Sequence, residues 1–231
     1  MLELSDAFRA SAAILIKLAE AQKNDPDLKS PENEALQGEE EALWYKLNTI
    51  EMDLIRTMSA DLWYLSDGGP HSESREPDDK LRARFLHAEE VDDLVELAVL
   101  LHECPKLVIG IDGLMVRHHL WKSLGVTEME GRFEAMLARL RFRELRDQWK
   151  KDTRYLSFIN SDHSAYQGII RLGMPVVPVL LEEMRDDPDW WGQALEAITG
   201  ENPCKFPEMA GRLDLISKAW VDWGTARGHL K

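Results

Sequence analysis

The last third of the chain is punctuated as a series of short helices. His163-Ser164-Ala165-Tyr166, Leu172-Gly173-Met174-Pro175, Asp187-Pro188-Asp189-Trp190-Trp191 and Ala194-Leu195-Glu196-Ala197-Ile198-Thr199-Gly200 follow one another in order. Glycine at a helix end adopts the left-handed backbone that other residues resist, and proline in a first turn gives up only an N–H without a helical partner. Gly173 therefore ends a helix over 164–172, and Pro175 opens the next. That second helix buries Val176, Val177, Leu180, Leu181 and Met184 and stops at Asp186-Asp187-Pro188. Asp189 is placed to cap a helix bearing Trp190, Ala194, Leu195 and Ile198, which Gly200 terminates. Asn202-Pro203 and Phe206-Pro207 lead into a last helix with Met209, Leu213, Ile216, Ala219, Trp220 and Trp223 on its apolar side, ended by Gly224 and Gly228. Such a pattern predicts antiparallel helix pairs.

The first half reads as helical too. Ser5 caps a helix whose Phe8, Ala12, Leu15, Leu18 and Ala19 recur at helical spacing, up to the Asn24-Asp25-Pro26 breaker. Leu36, Leu43, Trp44 and Leu47 mark a second helix, and Thr49 is the expected cap of a third with Leu54, Ile55, Met58, Leu62 and Leu65 in one stripe. Residues 67–79 contain no large apolar side chain and read as an exposed loop. Beyond it Leu81, Phe85 and Leu86 begin one helix, and Val91, Leu94, Val95, Ala98 and Leu101 another, closed by Cys104-Pro105.

One stretch, Leu107-Val108-Ile109-Gly110-Ile111-Asp112-Gly113, reads as a possible strand. An aspartate after such an apolar run resembles the first strand of ribonuclease-H-like nucleases and actin-like ATPases, which implies a divalent metal at Asp112. Two things oppose this: the following Leu114-to-Trp121 is helical, and no other segment supplies a sheet or further carboxylates. The alternative makes residues 106–124 the first helix of a hairpin. There Trp121, Leu124 and Gly125 resemble the W-x-x-L-G turn of a tetratricopeptide repeat, with Phe133, Met136, Leu137 and Leu140 on the return helix. Leu137 stands where that repeat usually has alanine.

Paired helices with proline opening the second and an A-L-x-A-I-T-G helix end resemble HEAT-type repeats, and residues of about 155–228 are similar to a small helical domain of uncharacterised bacterial proteins. The resemblance implies a fold and brings no catalytic residues. The chain is thus expected to be all-α, of helical-hairpin or α-solenoid type, with an acidic helical domain over 1–150 and a HEAT-like domain over 151–231.

Composition excludes several classes. Cys104 and Cys204 stand alone, without paired Cys/His spacing, which argues against a zinc site or disulfide framework and for a reducing cytoplasm. No apolar run approaches a membrane span, and the first residues do not form a signal peptide. The net charge of −14 is concentrated early, with 23 acidic and 10 basic side chains among residues 1–100. That field repels nucleic acid and favours a basic partner. Neither a G-x-x-x-x-G-K-[ST] nor a G-x-G-x-x-G phosphate loop is present, so an ATPase or dehydrogenase is not indicated.

Few residues suggest chemistry. Adjacent His118 and His119 diverge by about 100° on a helix and cannot readily share a metal. Ser161-Asp162-His163 holds the letters of a hydrolase triad, but consecutive positions ahead of a helix are capping residues. Acidic pairs such as Glu89-Glu90, Asp92-Asp93 and Glu182-Glu183 read as solvated helix flanks. The distinctive constellation is a basic stripe, Arg139, Arg143, Arg146, Lys150 and Arg154, on one helix with Trp149 elsewhere on its surface. It suits phosphates, an acidic docking surface, or plain solvation. Trp190-Trp191 cannot both face one core, which places one of them at a rim or partner surface. No catalytic residue, metal ligand or cofactor is indicated. The expected function is non-catalytic protein binding, as an adaptor, inhibitor or regulatory subunit, with these arginines, Lys150, Trp149, Trp190 and Trp191 as contacts. The alternatives are an antitoxin-like acidic protein that masks a nucleic-acid enzyme, or a metal-dependent nuclease or phosphotransferase around Asp112.

Overall fold

The structure, a computed structural model, describes residues 2–22, 25–67, 75–154, 161–204, 209 and 211–230. The protein is all-α: among the described residues there are α-helices and two short 3-10 turns, and no strand. Most of the expected loop at 67–79 and the Phe206-Pro207 link lie outside the described residues. The chain divides into two units, Met1–Phe133 and Glu134–Lys231. The division falls inside one long helix, earlier than residue 150, because Ala138, Phe142 and Trp149 belong to the C-terminal core.

The first unit contains α1 (Asp6–Ala21), α2 (Pro31–Trp44), α3 (Thr49–Asp67), α4 (Asp79–Glu90), α5 (Leu94–Glu103), a 3-10 turn (Pro105–Leu107), α6 (Gly110–Ser123) and the start of α7 (Thr127–Thr153). Caps set the starts. The side chains of Ser5, Ser30, Asp78 and Asp93 accept backbone N–H groups of Phe8, Asn33, Leu81 and Glu96, each satisfying a donor that the helix cannot. At α3 the cap is Asn48 rather than Thr49: its Oδ1 accepts the N–H of Glu51, and Glu51 accepts the N–H of Asn48 in return. α3 packs on α1 and α5, with Leu54, Met58, Leu97 and Leu100 fully buried.

Of the two readings of 107–113, the strand is absent. Val108 and Ile109 are extended, but Gly110 already begins α6, and the carbonyl of Val108 faces the Arg117 guanidinium instead of a ladder partner. Gly113 is required there, because a Cβ would lie 2.4 Å from that carbonyl oxygen. At the end of α6, Gly125 takes φ +70° as the W-x-x-L-G pattern requires. The hairpin that this pattern implied does not dominate, since α6 packs chiefly on α5 rather than along α7.

The second unit comprises the rest of α7, α8 (Ser164–Arg171), a 3-10 turn (Met174–Val176), α9 (Val177–Asp186), α10 (Gly192–Thr199) and α11 (Leu213–Ala226). Gly173 and Gly200 have φ of +69° and +71°, and Pro175 opens the 3-10 turn, as the punctuation demanded. His163 caps α8 through Nδ1. α8 packs on α10 and α9 on α11, an alternation compatible with stacked helix pairs. α10 starts at Gly192, later than expected, and Asp189 bonds the N–H of Trp190 instead of capping a helix. No single described helix is long and apolar enough to cross a membrane.

Candidate functional site

Within the second unit the basic stripe is held by acids of the same unit. Arg139 donates to Glu182 Oε2 at 2.7 Å, and Arg146 Nη1 reaches both oxygens of Glu183 at 3.0 Å. Lys150 Nζ lies 2.8 Å from Asp189 Oδ2 and 3.7 Å from Glu183 Oε1. The acids that the stripe docks on therefore come from α9 and the turn after it, and Glu182-Glu183 are its partners rather than free solvated flanks. Each pair alone, half-exposed, is worth about 0–1 kcal/mol, but linked pairs fix the rotation of α7 against α9. Arg143 is exposed and has no carboxylate partner among the described residues; Arg154 is also exposed.

Behind the stripe lies an aromatic cluster that corrects two expected contacts. Trp149 and Trp191 are buried and so are not surface residues. Their rings are 5.0 Å apart, Trp191 stacks on Tyr166 at 5.7 Å, and Phe142 meets Trp191 edge-on at 5.4 Å. Tyr166 donates its hydroxyl to the carbonyl of Trp190 and accepts the N–H of Ala194, which anchors the start of α10 to α8. Burial pushes the Tyr166 phenol up, so it stays a neutral donor. Trp190, by contrast, is only half-buried, in keeping with the expectation that one of the adjacent pair lies at a rim.

Trp190 borders a cleft of about 300 Å³ whose apolar walls are Trp220, Leu213 and Ile216, with Asp189, Gln193, Glu196, Asn202 and Cys204 as its polar groups. Gly192 permits it: a Cβ there would sit 3.1 Å from Trp220 Nε1 and 3.3 Å from Ile216 Cγ2. Glu196 accepts the amide of Asn202 at 3.1 Å. The Cys204 thiol is pushed up by burial and by the carboxylate of Glu196, which keeps it protonated.

In the first unit the chemistry-bearing residues are mostly structural. Arg117 and Asp61, 1% and 2% exposed, form a buried pair at 2.9 Å. The second oxygen of Asp61 takes the indole N–H of Trp121 at 2.7 Å. Arg117 also donates to the carbonyls of Gly113, Val108 and Pro105, and its guanidinium lies 4.1 Å from the Tyr64 ring centre. Burial raises the Asp61 carboxyl, opposed by the charge of Arg117 and by the hydrogen bonds from Trp121 and Arg117. This network ties the segment 104–109, with its 3-10 turn, to α3, and nothing local in the sequence announced it.

Asp112 is exposed in the first turn of α6, not at a strand end. Among the described residues, no three His, Cys, Asp or Glu side chains converge as a metal requires. His118 and His119 diverge as helix geometry demands: His119 Nε2 meets Asp92 at 2.9 Å on the surface, and His118 Nε2 is enclosed. Cys104 is buried and Cys204 partly so; both are free thiols.

Charge separates with the two units. Residues 1–133 carry 27 acidic and 14 basic side chains, and residues 134–231 carry 15 and 14. α2 carries Glu32, Glu34, Glu39, Glu40 and Glu41 with no lysine or arginine. Only Asn33 of this helix is buried, and Tyr45 at its end is 79% exposed.

No protein-family model, curated protein or solved structure matches this chain, and the likeness to HEAT-type and tetratricopeptide repeats stands on its helix punctuation alone.

Proposed function

We propose that the protein is a non-catalytic protein-binding module, an adaptor or inhibitor, whose first unit takes a basic partner. The observation that carries this reading is the acidic helix α2, with five glutamates and no basic residue, four of the five glutamates exposed, ending in an exposed tyrosine. Net charge of this sign steers a cationic surface into contact, and an exposed tyrosine supplies the large apolar area that interface centres favour. An antitoxin-like role, masking the basic groove of a nucleic-acid enzyme, is one form of the same proposal. The HEAT-like reading of α8–α11 belongs here as well, supported by the packing of alternate helices. So does action in a reducing, cytoplasmic setting, supported by two free thiols.

The test is affinity capture with the wild-type chain and a Glu34→Lys, Glu39→Lys, Glu41→Lys variant at an ionic strength of about 0.15 M. Basic proteins retained by the wild type and lost by the variant support the proposal. Retention of the same set by both, or of acidic proteins, overturns it.

A further inference from the structure

We infer that the cleft beside α10 and α11 binds an organic cation, an amine or guanidinium group carried on a compact apolar body. The inference rests on the second unit alone and is independent of the partner of α2. A volume of about 300 Å³ is at the small end of ligand sites, so the ligand is a small molecule or a single side chain rather than a nucleotide.

The lining selects its chemistry. Leu213, Ile216 and the edge of the buried Trp220 give apolar contact, and the half-buried Trp190 adds an aromatic side chain of the kind that attracts cations. Among the described residues no lysine, arginine or histidine lines the cleft, and the two carboxylates that do, Asp189 and Glu196, differ in availability. Asp189 is already neutralised by Lys150 at 2.8 Å. Glu196 receives only the neutral amide of Asn202 and has no cationic partner among the described residues. Its charge also bears on the neighbouring Cys204 thiol, which burial raises first and the carboxylate of Glu196 raises further. An anion would be repelled there, and a neutral ligand would leave that field unused. A cation on an apolar body satisfies both the walls and the carboxylate.

Cys204 lines the cleft and reports its occupancy, while the buried Cys104 serves as an internal reference. The full chain is treated with iodoacetamide in the presence of phenethylamine, the neutral 2-phenylethanol or the anionic phenylacetate, and alkylation at each cysteine is read by mass spectrometry. Phenethylamine is expected to slow alkylation of Cys204 and to bind about five- to tenfold more tightly than 2-phenylethanol, with phenylacetate inert. Glu196→Gln, at an exposed position, should remove this preference without affecting 2-phenylethanol, and Leu213→Trp should abolish protection by filling the cleft. Acetyl-arginine amide compared with agmatine then tells a protein side chain from a free amine as the source. Equal protection by 2-phenylethanol or phenylacetate, no protection by any cation at millimolar concentration, or an unchanged preference in Glu196→Gln would each overturn the inference.

Discussion

Glu51 Oε1 accepts the backbone N–H of Ser5 at 2.7 Å, across 46 residues of sequence. Its other oxygen accepts the N–H of Asn48 at 3.1 Å, so one carboxylate joins the start of α1 to the start of α3. Burial pushes this carboxyl up, but the hydrogen bonds from Ser5 and Asn48 outweigh it and hold the group below its ordinary value of 4.5. A carboxyl lowered in the folded state contributes stability above its unfolded pKa and loses that contribution as pH falls through the folded value. Glu51→Gln is therefore expected to cost about 1–2 kcal/mol at neutral pH. The gap between variant and wild type should narrow as pH drops below the ordinary carboxylate range. Urea unfolding at neutral and acidic pH measures this, and a gap independent of pH would contradict it.

Arg143 and Arg146 lie less than one turn apart in α7 and should respond unequally to charge reversal. Arg146 engages both oxygens of Glu183 and Arg143 has no such partner. Arg143→Glu is expected to leave the unfolding midpoint within about 0.5 kcal/mol of wild type. Arg146→Glu should cost about 1–2 kcal/mol, from the lost fork and the new repulsion. Combining it with Glu183→Arg should recover part of the loss, and a double-mutant cycle with no coupling would remove the pairing from the account of the fold.

These two pairs show which parts of the protein were legible in the sequence. Local signals survived: Ser5 caps α1, Gly173 and Gly200 take positive φ, and Pro175 opens a turn, because each depends only on the residue and its immediate neighbours. Trp190 is half-buried, but it and Trp191 lie in the turn before α10, so the divergence expected of helix neighbours is not its cause. What failed involved partners distant in sequence. The stripe on α7 was visible, but that Glu182 and Glu183 would face it depends on how α9 packs. The burial of Trp149 and Trp191 is not legible locally, because whether a tryptophan is covered is decided by the elements that pack on it. The apolar run at 107–113 left strand and helix both open because four apolar residues fit either; the structure is helical from Gly110, and Arg117, outside that window, takes the Val108 carbonyl.

Asp61 and Arg117 should be costly to remove singly and cheap to remove together. Each is almost fully enclosed, and Asp61 also satisfies the indole of Trp121. Asp61→Ala leaves a guanidinium buried without its counter-charge, which costs about 3–5 kcal/mol. Replacing both, as Asp61→Leu with Arg117→Met, removes the charges in a matched way and should be much less destabilising than the sum of the single changes. The carbonyls of Val108, Gly113 and Pro105 lose a donor in that double variant, so full recovery is not expected. Chemical denaturation of the three variants decides it, and additive losses would mean that the pair is not coupled.

Trp191 offers a cleaner separation of packing from hydrogen bonding. Its ring is completely buried among Phe142, Trp149 and Tyr166, yet its indole N–H has no acceptor among the described residues. Its contribution is therefore surface burial and ring contact rather than a polar bond. Trp191→Ala should open a cavity in the centre of the second unit and cost about 3–5 kcal/mol. Trp191→Phe keeps an aromatic ring against Tyr166 and gives up no hydrogen bond, so its cost should stay below about 1.5 kcal/mol. Far-ultraviolet circular dichroism follows the unfolding of both without relying on the emission of the altered tryptophan. A phenylalanine variant as unstable as the alanine one would mean that the indole N–H is engaged after all, and that the aromatic cluster is held by a polar contact as well as by packing.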